Sequence, residues 1–487
     1  MEAAERNVVR IAAVFCVLTA VLYGLLIFFW MPQGQLAKYP AAAAQYLRGE
    51  LTGERLVDFS PLYLRLHIVA QQVSHRPVVL ISVMHILCSA LSVSILFLLL
   101  ARYFRLWIAI TGTAAFLLDH SLIEYLQAFE PEPVLMMLML LFAWLVTTGS
   151  ARRHLLAGIL LGLAVWTRPN FLPVAAVVPF YFYFNRGGKR ILKSAAVFLT
   201  PVVILLIALW IRNTSILGYF SPFVMNPGTA YFEGNNPSSW GFSSIYPPLV
   251  DEVAKMHPEE ADYQHATYRL IARRATGKPL TVPEVNSYWS GLAIHYLQDH
   301  PGHAIKLLGR KVFHFFHSYQ WHDITNAFWN EQWLSSHYFP CVPFAVISAL
   351  AAVGLITGIA RWREFLLHYA IFLAQLLFVV IIYVSARQRV SVLWVFIFFA
   401  CAALEFASAG RRRMLLAGAM ALILAVVLQM RTDLMTEETR LWLSIRRSNA
   451  LLAESYRLRA QDQLAEAAAA SAASLASAPF YAATRRP

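Results

Sequence analysis

The sequence predicts an all-α polytopic membrane protein of about eleven transmembrane helices, with two long loops on its outer side. Three observations carry that prediction. Hydrophobic residues make up 59% of the 487-residue chain and charged residues only 14%, with a mean hydropathy of +0.55, far from the composition of a soluble domain. Apolar runs of roughly bilayer length recur from end to end. Basic residues gather in short clusters between those runs, in every second loop.

The expected crossings, in order, are 11–31, 78–100, 106–118, 133–146, 155–166, 171–184, 195–211, 338–360, 365–384, 390–406 and 414–430. The first run is too long for a signal-peptide core and lacks a small-residue cleavage site after it, so it reads as a retained helix. Arg6 and Arg10 flank it, and the alternate loops hold Arg102 and Arg105, Arg152 and Arg153, Arg186 to Lys193, Arg361 and Arg363, and Arg411 to Arg413. All six clusters then face the cytoplasm. The stretch 155–184 has basic flanks on both sides, so it must hold an even number of crossings. Two short helices joined at Thr167-Arg168-Pro169-Asn170 satisfy this.

Counting outward places two long loops on the other side, 32–77 and 212–337. In the first, Ser60 suits an N-cap and Pro61 a first helical turn, so Asp58 should stand at the lip of a helix running apolar toward Val83. The second opens on the turn-rich stretch Asn226 to Gly241 and ends in an amphipathic helix, Ala304 to Phe316. There Leu307, Leu308, Val312, Phe315 and Phe316 are expected on one face and Lys306, Arg310 and Lys311 elsewhere. Residues 1–430 form the transmembrane domain on this reading. Residues 431–487 form an outer tail, helical at first and then Ala/Ser-rich and disordered.

Lys and Arg outnumber Asp and Glu by 40 to 27, a formal net charge of +13. Their placement between apolar runs points to topology and anionic lipid and not to nucleic acid. Cys16, Cys88, Cys341 and Cys401 each lie in an apolar run, at spacings that suggest neither a disulfide framework nor a metal site. No phosphate-binding glycine loop is present.

Several groups carry candidate chemistry. Asp58 is a candidate general base at the membrane surface, or else a solvated loop acid that favours a helix start. The short outer segment after Leu118 carries Asp119, Glu124, Glu130 and Glu132, with Glu132 in the first turn of the next span; acids beside a bilayer need work or partners. Arg387 and Arg389 oppose the positive-inside trend and suit a phosphate, or ordinary headgroups. Arg168 and Arg212 are further outer-end arginines. Asn235, Asn236 and Trp240 could hydrogen-bond and stack on a sugar, or only form a tight turn. His314, His317, His322 and Asp323 lack metal-ligand spacing, so packing is the expectation there.

Taken together these residues resemble the polytopic GT-C glycosyltransferases, in particular the family 39, protein-O-mannosyltransferase-like branch that includes aminoarabinose transferases. The resemblance rests on Asp58 followed by Ser60 to Tyr63, Glu132-Pro133, Gly162 to Asn170, Arg212-Asn213, Gly234 to Pro237, and His300 to Gly302 leading to Lys311. It implies a GT-C fold, a sugar donor on a polyprenyl phosphate, an outer-side acceptor that is lipid, glycan or protein, and Asp58 as catalytic base. Relatives with two adjacent acids have a second carboxylate where this chain has Phe59, so no cofactor is required, and a divalent metal is left open but not indicated. On this reading Glu130 and Glu132 assist Asp58, and Arg387, Arg389, Arg168 and Lys311 hold the donor phosphate. Tyr63, Glu124, Asn235, Asn236 and Trp240 meet sugar or acceptor. The expected setting is a bacterial inner membrane with the site facing the periplasm or exterior. A lipid-linked sugar flippase, or a surface polysaccharide ligase or polymerase, remains the alternative.

Overall fold

A computed structural model of the chain describes residues 2–30, 38–127, 129–186, 190–222, 227–242, 264–319, 340–430, Met435 and Ala469. The helices, in chain order, are α1 (Glu2–Leu25), α2 (Lys38–Leu47), α3 (Gly53–Val57), α4 (Pro61–Val73), α5 (Pro77–Tyr103), α6 (Leu106–Leu117), α7 (His120–Gln127), α8 (Glu132–Thr148), α9 (Ala151–Thr167) and α10 (Leu172–Arg186). They continue with α11 (Arg190–Leu217), α12 (Pro227–Gly234), α13 (Gln264–Thr276), α14 (Val282–Asp299), α15 (Pro301–Phe316), α16 (Phe344–Thr357), α17 (Trp362–Ile381), α18 (Ala386–Val390), α19 (Leu393–Ser408) and α20 (Arg411–Val427). No strand occurs among the described residues; a single bridge pairs Phe242 with Val384. Apart from Met435 and Ala469 the expected tail, like His322 and Asp323, lies outside the described residues.

The chain divides into two compact units. The first comprises Met1–Met225, Gly241–Ser243 and Ile305–Gln429, the second Asn226–Trp240, Ser244–Ala304 and Met430–Pro487. The first unit is an apolar helical bundle. Four continuous helical segments in the described residues, Glu5–Phe29, Pro77–Tyr103, Ile191–Leu217 and Phe344–Ile381, are long and apolar enough to cross a membrane. One further span would be the pair Leu106–Leu117 with His120–Leu126, which is bent by 49°.

The segment Phe344–Ile381 is not one straight rod. Tyr369 Oη donates to the carbonyl of Leu355 at 2.6 Å, whereas fourteen residues of straight helix would separate their backbones by about 21 Å. A short 3-10 turn, Gly358–Arg361, therefore breaks the segment between α16 and α17. Close approach between helices depends on small residues. A Cβ at Gly354 of α16 would lie 1.7 Å from the Phe399 carbonyl oxygen of α19. One at Gly158 of α9 would lie 2.1 Å from the Phe198 oxygen of α11.

Three local expectations change. The helix begun at Pro61 stops at Val73 and does not run to Val83: Ser74 is extended, and Pro77 starts a new helix, since a residue before proline avoids helical geometry. Ser60 occupies the N-cap position, yet its side chain makes no capping bond; it donates to the Trp166 carbonyl at 3.4 Å. On α15 the buried stripe is Leu307, Lys311, His314 and Phe315, while Leu308 is 55% exposed. Lys311 thus shares the buried face, because it stands one turn from both Leu307 and Phe315.

The second unit has its own small core of Tyr268, Ile271, Ala272, Leu280, Val285 and Trp289. Thr281 caps α14 in a capping box with Glu284. Within the expected turn region, residues 227–234 are helical instead, and the Gly228 N–H donates to the Asn286 side chain at 2.9 Å.

Candidate active site

Two acids and two arginines of the first unit converge where several helices end. Glu132 opens α8. It is fully buried. Arg168, the residue that closes α9, donates from Nη2 to Glu132 Oε1. Arg387 approaches from α18, with Nη1 3.6 Å from Glu130 Oε2 and Nε 3.9 Å from Glu132 Oε1. Two guanidinium groups from separate parts of the chain thus face two carboxylates. Glu132 Oε2 and Arg168 Nε are buried with no hydrogen-bond partner among the described residues.

Glu130 sits in the loop between α7 and α8, behind Phe129, whose φ of 48° is the one left-handed non-glycine value among the described residues. Such backbone costs on the order of 1 kcal/mol or more and is held only by its surroundings. Burial pushes the Glu130 carboxyl up to about 7, with Glu132 adding to the rise while Arg387, Lys38 and Arg168 oppose it. A carboxyl so placed exchanges its proton near neutrality.

The turn bearing Asp58 belongs to the same end of the bundle. Asp58 ends α3 with helical backbone angles, is half-buried, and is followed by the Ser60 link to Trp166 just ahead of Arg168. Lys38 lies 5.3 Å from the centre of the Phe59 ring and lowers the Glu130 pKa. Phe59 therefore fills the place after Asp58 with a ring that meets a cation. Tyr39 packs edge-on against Phe59 and Tyr63, and stacks on His67. Together these rings form one aromatic cluster.

The remaining candidates have varied surroundings. Tyr63 is fully buried, and its hydroxyl is 2.8 Å from His85 Nε2, whose Nδ1 meets the Leu126 carbonyl at 2.9 Å. Its hydroxyl is pushed well above the usual range by burial and by Glu130. Burial lowers His67 to about 3, so that ring stays neutral. Glu124 is buried on α7. Lys311 is buried and reaches toward the Ile381 carbonyl at 3.4 Å; burial brings its amine down to about 7.

Arg389 points elsewhere than Arg387. It donates to the carbonyls of His317 and, at 2.8 Å, Tyr319, and its guanidinium stacks 4.7 Å from the Phe344 ring. Two residues apart on one helical turn, the two arginines face opposite ways. In the second unit both amides close their own turn. Asn235 Nδ2 donates to Tyr231 and Asn236 Nδ2 to Phe232, each at 2.8 Å, and Trp240 is 40% exposed.

Gln375 escaped the sequence reading. It is 1% exposed within α17 and joins Asn170, two residues past Arg168, to the backbone of Gln388, next to Arg387. Its signal was present as a lone amide in an apolar run. No three His, Cys, Asp or Glu side chains among the described residues converge on one point.

The bundle defines a class: an all-helical protein, among the described residues, with segments long and apolar enough to cross a membrane. Residues 64–211, which hold Glu124, Glu130, Glu132 and Arg168, match the family described as dolichyl-phosphate-mannose-protein mannosyltransferase. Over that stretch the resemblance drawn from sequence is borne out. Among solved structures, ArnT from Cupriavidus metallidurans bound to undecaprenyl phosphate is similar at 12% identity and a TM-score of 0.37, covering 82% of this chain and 79% of that one. Its apo form gives a TM-score of 0.33 at 12% identity, covering 82% and 78%. At such identity and TM-score neither likeness says anything about this chain's chemistry. No curated protein sequence matches the chain.

Proposed function

We propose that the chain is an inverting glycosyltransferase that moves a sugar from a polyprenyl-phosphate donor to an acceptor hydroxyl on the outer side of the membrane. The observation that carries this reading is the convergence of Arg168 and Arg387 on Glu132 and Glu130. The matched family's description names a lipid-phosphate sugar of the same kind. Two guanidinium groups already close to each other, with Arg168 Nε and Glu132 Oε2 still to be satisfied, suit an incoming phosphate and a sugar hydroxyl.

The chemistry follows from charge. A sugar–phosphate diester carries one negative charge, and the polyprenyl phosphate that leaves carries a second as the anomeric C–O bond breaks. Cations preorganised at the leaving oxygens lower that barrier. Arg168 and Arg387 take this role, and Glu132 holds both in place. Asp58 accepts the acceptor's proton as its oxygen attacks the anomeric carbon opposite the phosphate, which inverts that centre. Glu130, titrating near neutrality, hydrogen-bonds a sugar hydroxyl. Arg389 and Lys311 brace the surrounding segments.

The test is Asp58→Asn in purified, membrane-reconstituted protein given a polyprenyl-phosphate sugar. Loss of the base lowers transfer by about 10²–10⁴-fold while donor binding persists. Full transfer by the variant overturns the role of Asp58.

A further inference from the structure

The two arginines at the centre of the cluster come from segments with no chain continuity. Arg168 closes α9 before a three-residue 3-10 turn, Pro169–Phe171. Arg387 rides on α18, a five-residue helix between α17 and α19. Something must set the distance between them, because one carboxylate, Glu132, meets both.

Gln375 makes that connection. Asn170 Nδ2 donates to Gln375 Oε1 at 2.5 Å, and Gln375 Nε2 donates to the Gln388 carbonyl at 2.9 Å. Gln388 is itself fixed: its side chain accepts from the Ser385 N–H at 3.1 Å in a capping box, and its carbonyl also accepts from Ser391 Oγ at 2.8 Å. An amide buried in an apolar helix is costly unless both ends are hydrogen-bonded. Here both ends are, one toward each arginine-bearing segment.

We infer that Gln375 is a positioning residue that fixes the spacing of the Arg168 and Arg387 guanidinium groups, and so the affinity of the site for the phosphate of a polyprenyl-phosphate ligand. The inference rests on the proposed function for the identity of that ligand. Displacing a positioned group by about 1 Å can cost on the order of 10²-fold, and affinity for the released lipid phosphate falls with it. Loss of folded protein would behave differently, lowering the number of binding sites and leaving the affinity of the survivors unchanged.

The experiment measures binding of undecaprenyl phosphate to the purified full chain, as a dissociation constant and as a number of sites. Gln375→Leu is expected to weaken binding at least tenfold with the site number unchanged. Asn170→Ala, which breaks the same link from its other end, serves if the leucine variant does not fold. It is expected to lose affinity by a similar factor, and the double variant to lose no more than either single one. Unchanged affinity in both single variants, or additive losses in the double variant, overturns the inference. Wild-type protein that does not bind undecaprenyl phosphate removes the functional reading, and the inference with it. Binding by wild type with the same affinity in both single variants removes the inference alone.

Discussion

Neutralising Arg387 separates its part in the reaction from its part in the fold. The gross attraction between its guanidinium and either carboxylate, at 3.6 and 3.9 Å, is about 4 kcal/mol at an effective dielectric near 20. Taking one partner out of a buried pair ordinarily costs about 3–5 kcal/mol. Here the loss is limited, because Glu130 already titrates near 7 and can take up a proton when its cation goes. Arg387→Gln should therefore fold at pH 6 with only a modest drop in melting temperature, and fare worse at pH 8, where the proton must be taken from a more basic solution. Transfer is another matter, since the second charge of the departing phosphate has lost one of its two guanidinium partners. Removing one such preorganised donor costs about 10²–10³-fold in kcat. Arg387→Lys restores the charge without the planar fork and should recover only part of the loss. The assay is single-turnover sugar transfer in liposomes, with melting followed on the same samples. Arg387→Gln transferring sugar within threefold of wild type would refute the role.

Three further outcomes follow from the same geometry. The raised Glu130 pKa means the folded state binds its proton more tightly than the unfolded chain does. That contribution is fully present below about pH 4.5, the ordinary carboxyl value, and is lost as pH rises through about 7; the span is worth about 3 kcal/mol. Thermal unfolding of Glu130→Gln between pH 5 and 8 should accordingly vary less with pH than wild type. Arg389→Met leaves two carbonyls without their donor and should cost about 1–3 kcal/mol for each, lowering the melting temperature while transfer per folded molecule is retained. Gly354→Ala forces a methyl group against the Phe399 carbonyl oxygen, so α16 and α19 must separate. A destabilisation of about 1–3 kcal/mol or more is expected in the same melting assay.

Much of the bundle was legible because bilayer crossings leave a strong, local mark. The expected run 106–118 became α6, Leu106–Leu117, and the pair 155–166 and 171–184 became α9 and α10. Glu132 was also expected in the first turn of its helix. Faces were read less well than lengths. The buried side of α15 is set by what covers it, and Lys311 went inside because its neighbours one turn away did.

What the sequence determined by itself is the chemistry available: an all-helical membrane chain with Asp58, a run of acids ending at Glu132, and arginines at the ends of apolar runs. The order of these residues and the basic clusters of every second loop are local properties, readable without a fold. Pairing is not local. Arg387 and Arg389 are separated by one residue and have the same chemistry, yet one meets Glu130 and Glu132 while the other clamps the backbone at His317 and Tyr319. Glu132 finds Arg168 36 residues away, and Gln375 ties Asn170 to Gln388 across gaps of 205 and 13 residues. Such contacts depend on which helix ends meet, and that is decided by close packing at positions such as Gly158 and Gly354, where only the folded bundle shows what the missing side chain makes room for.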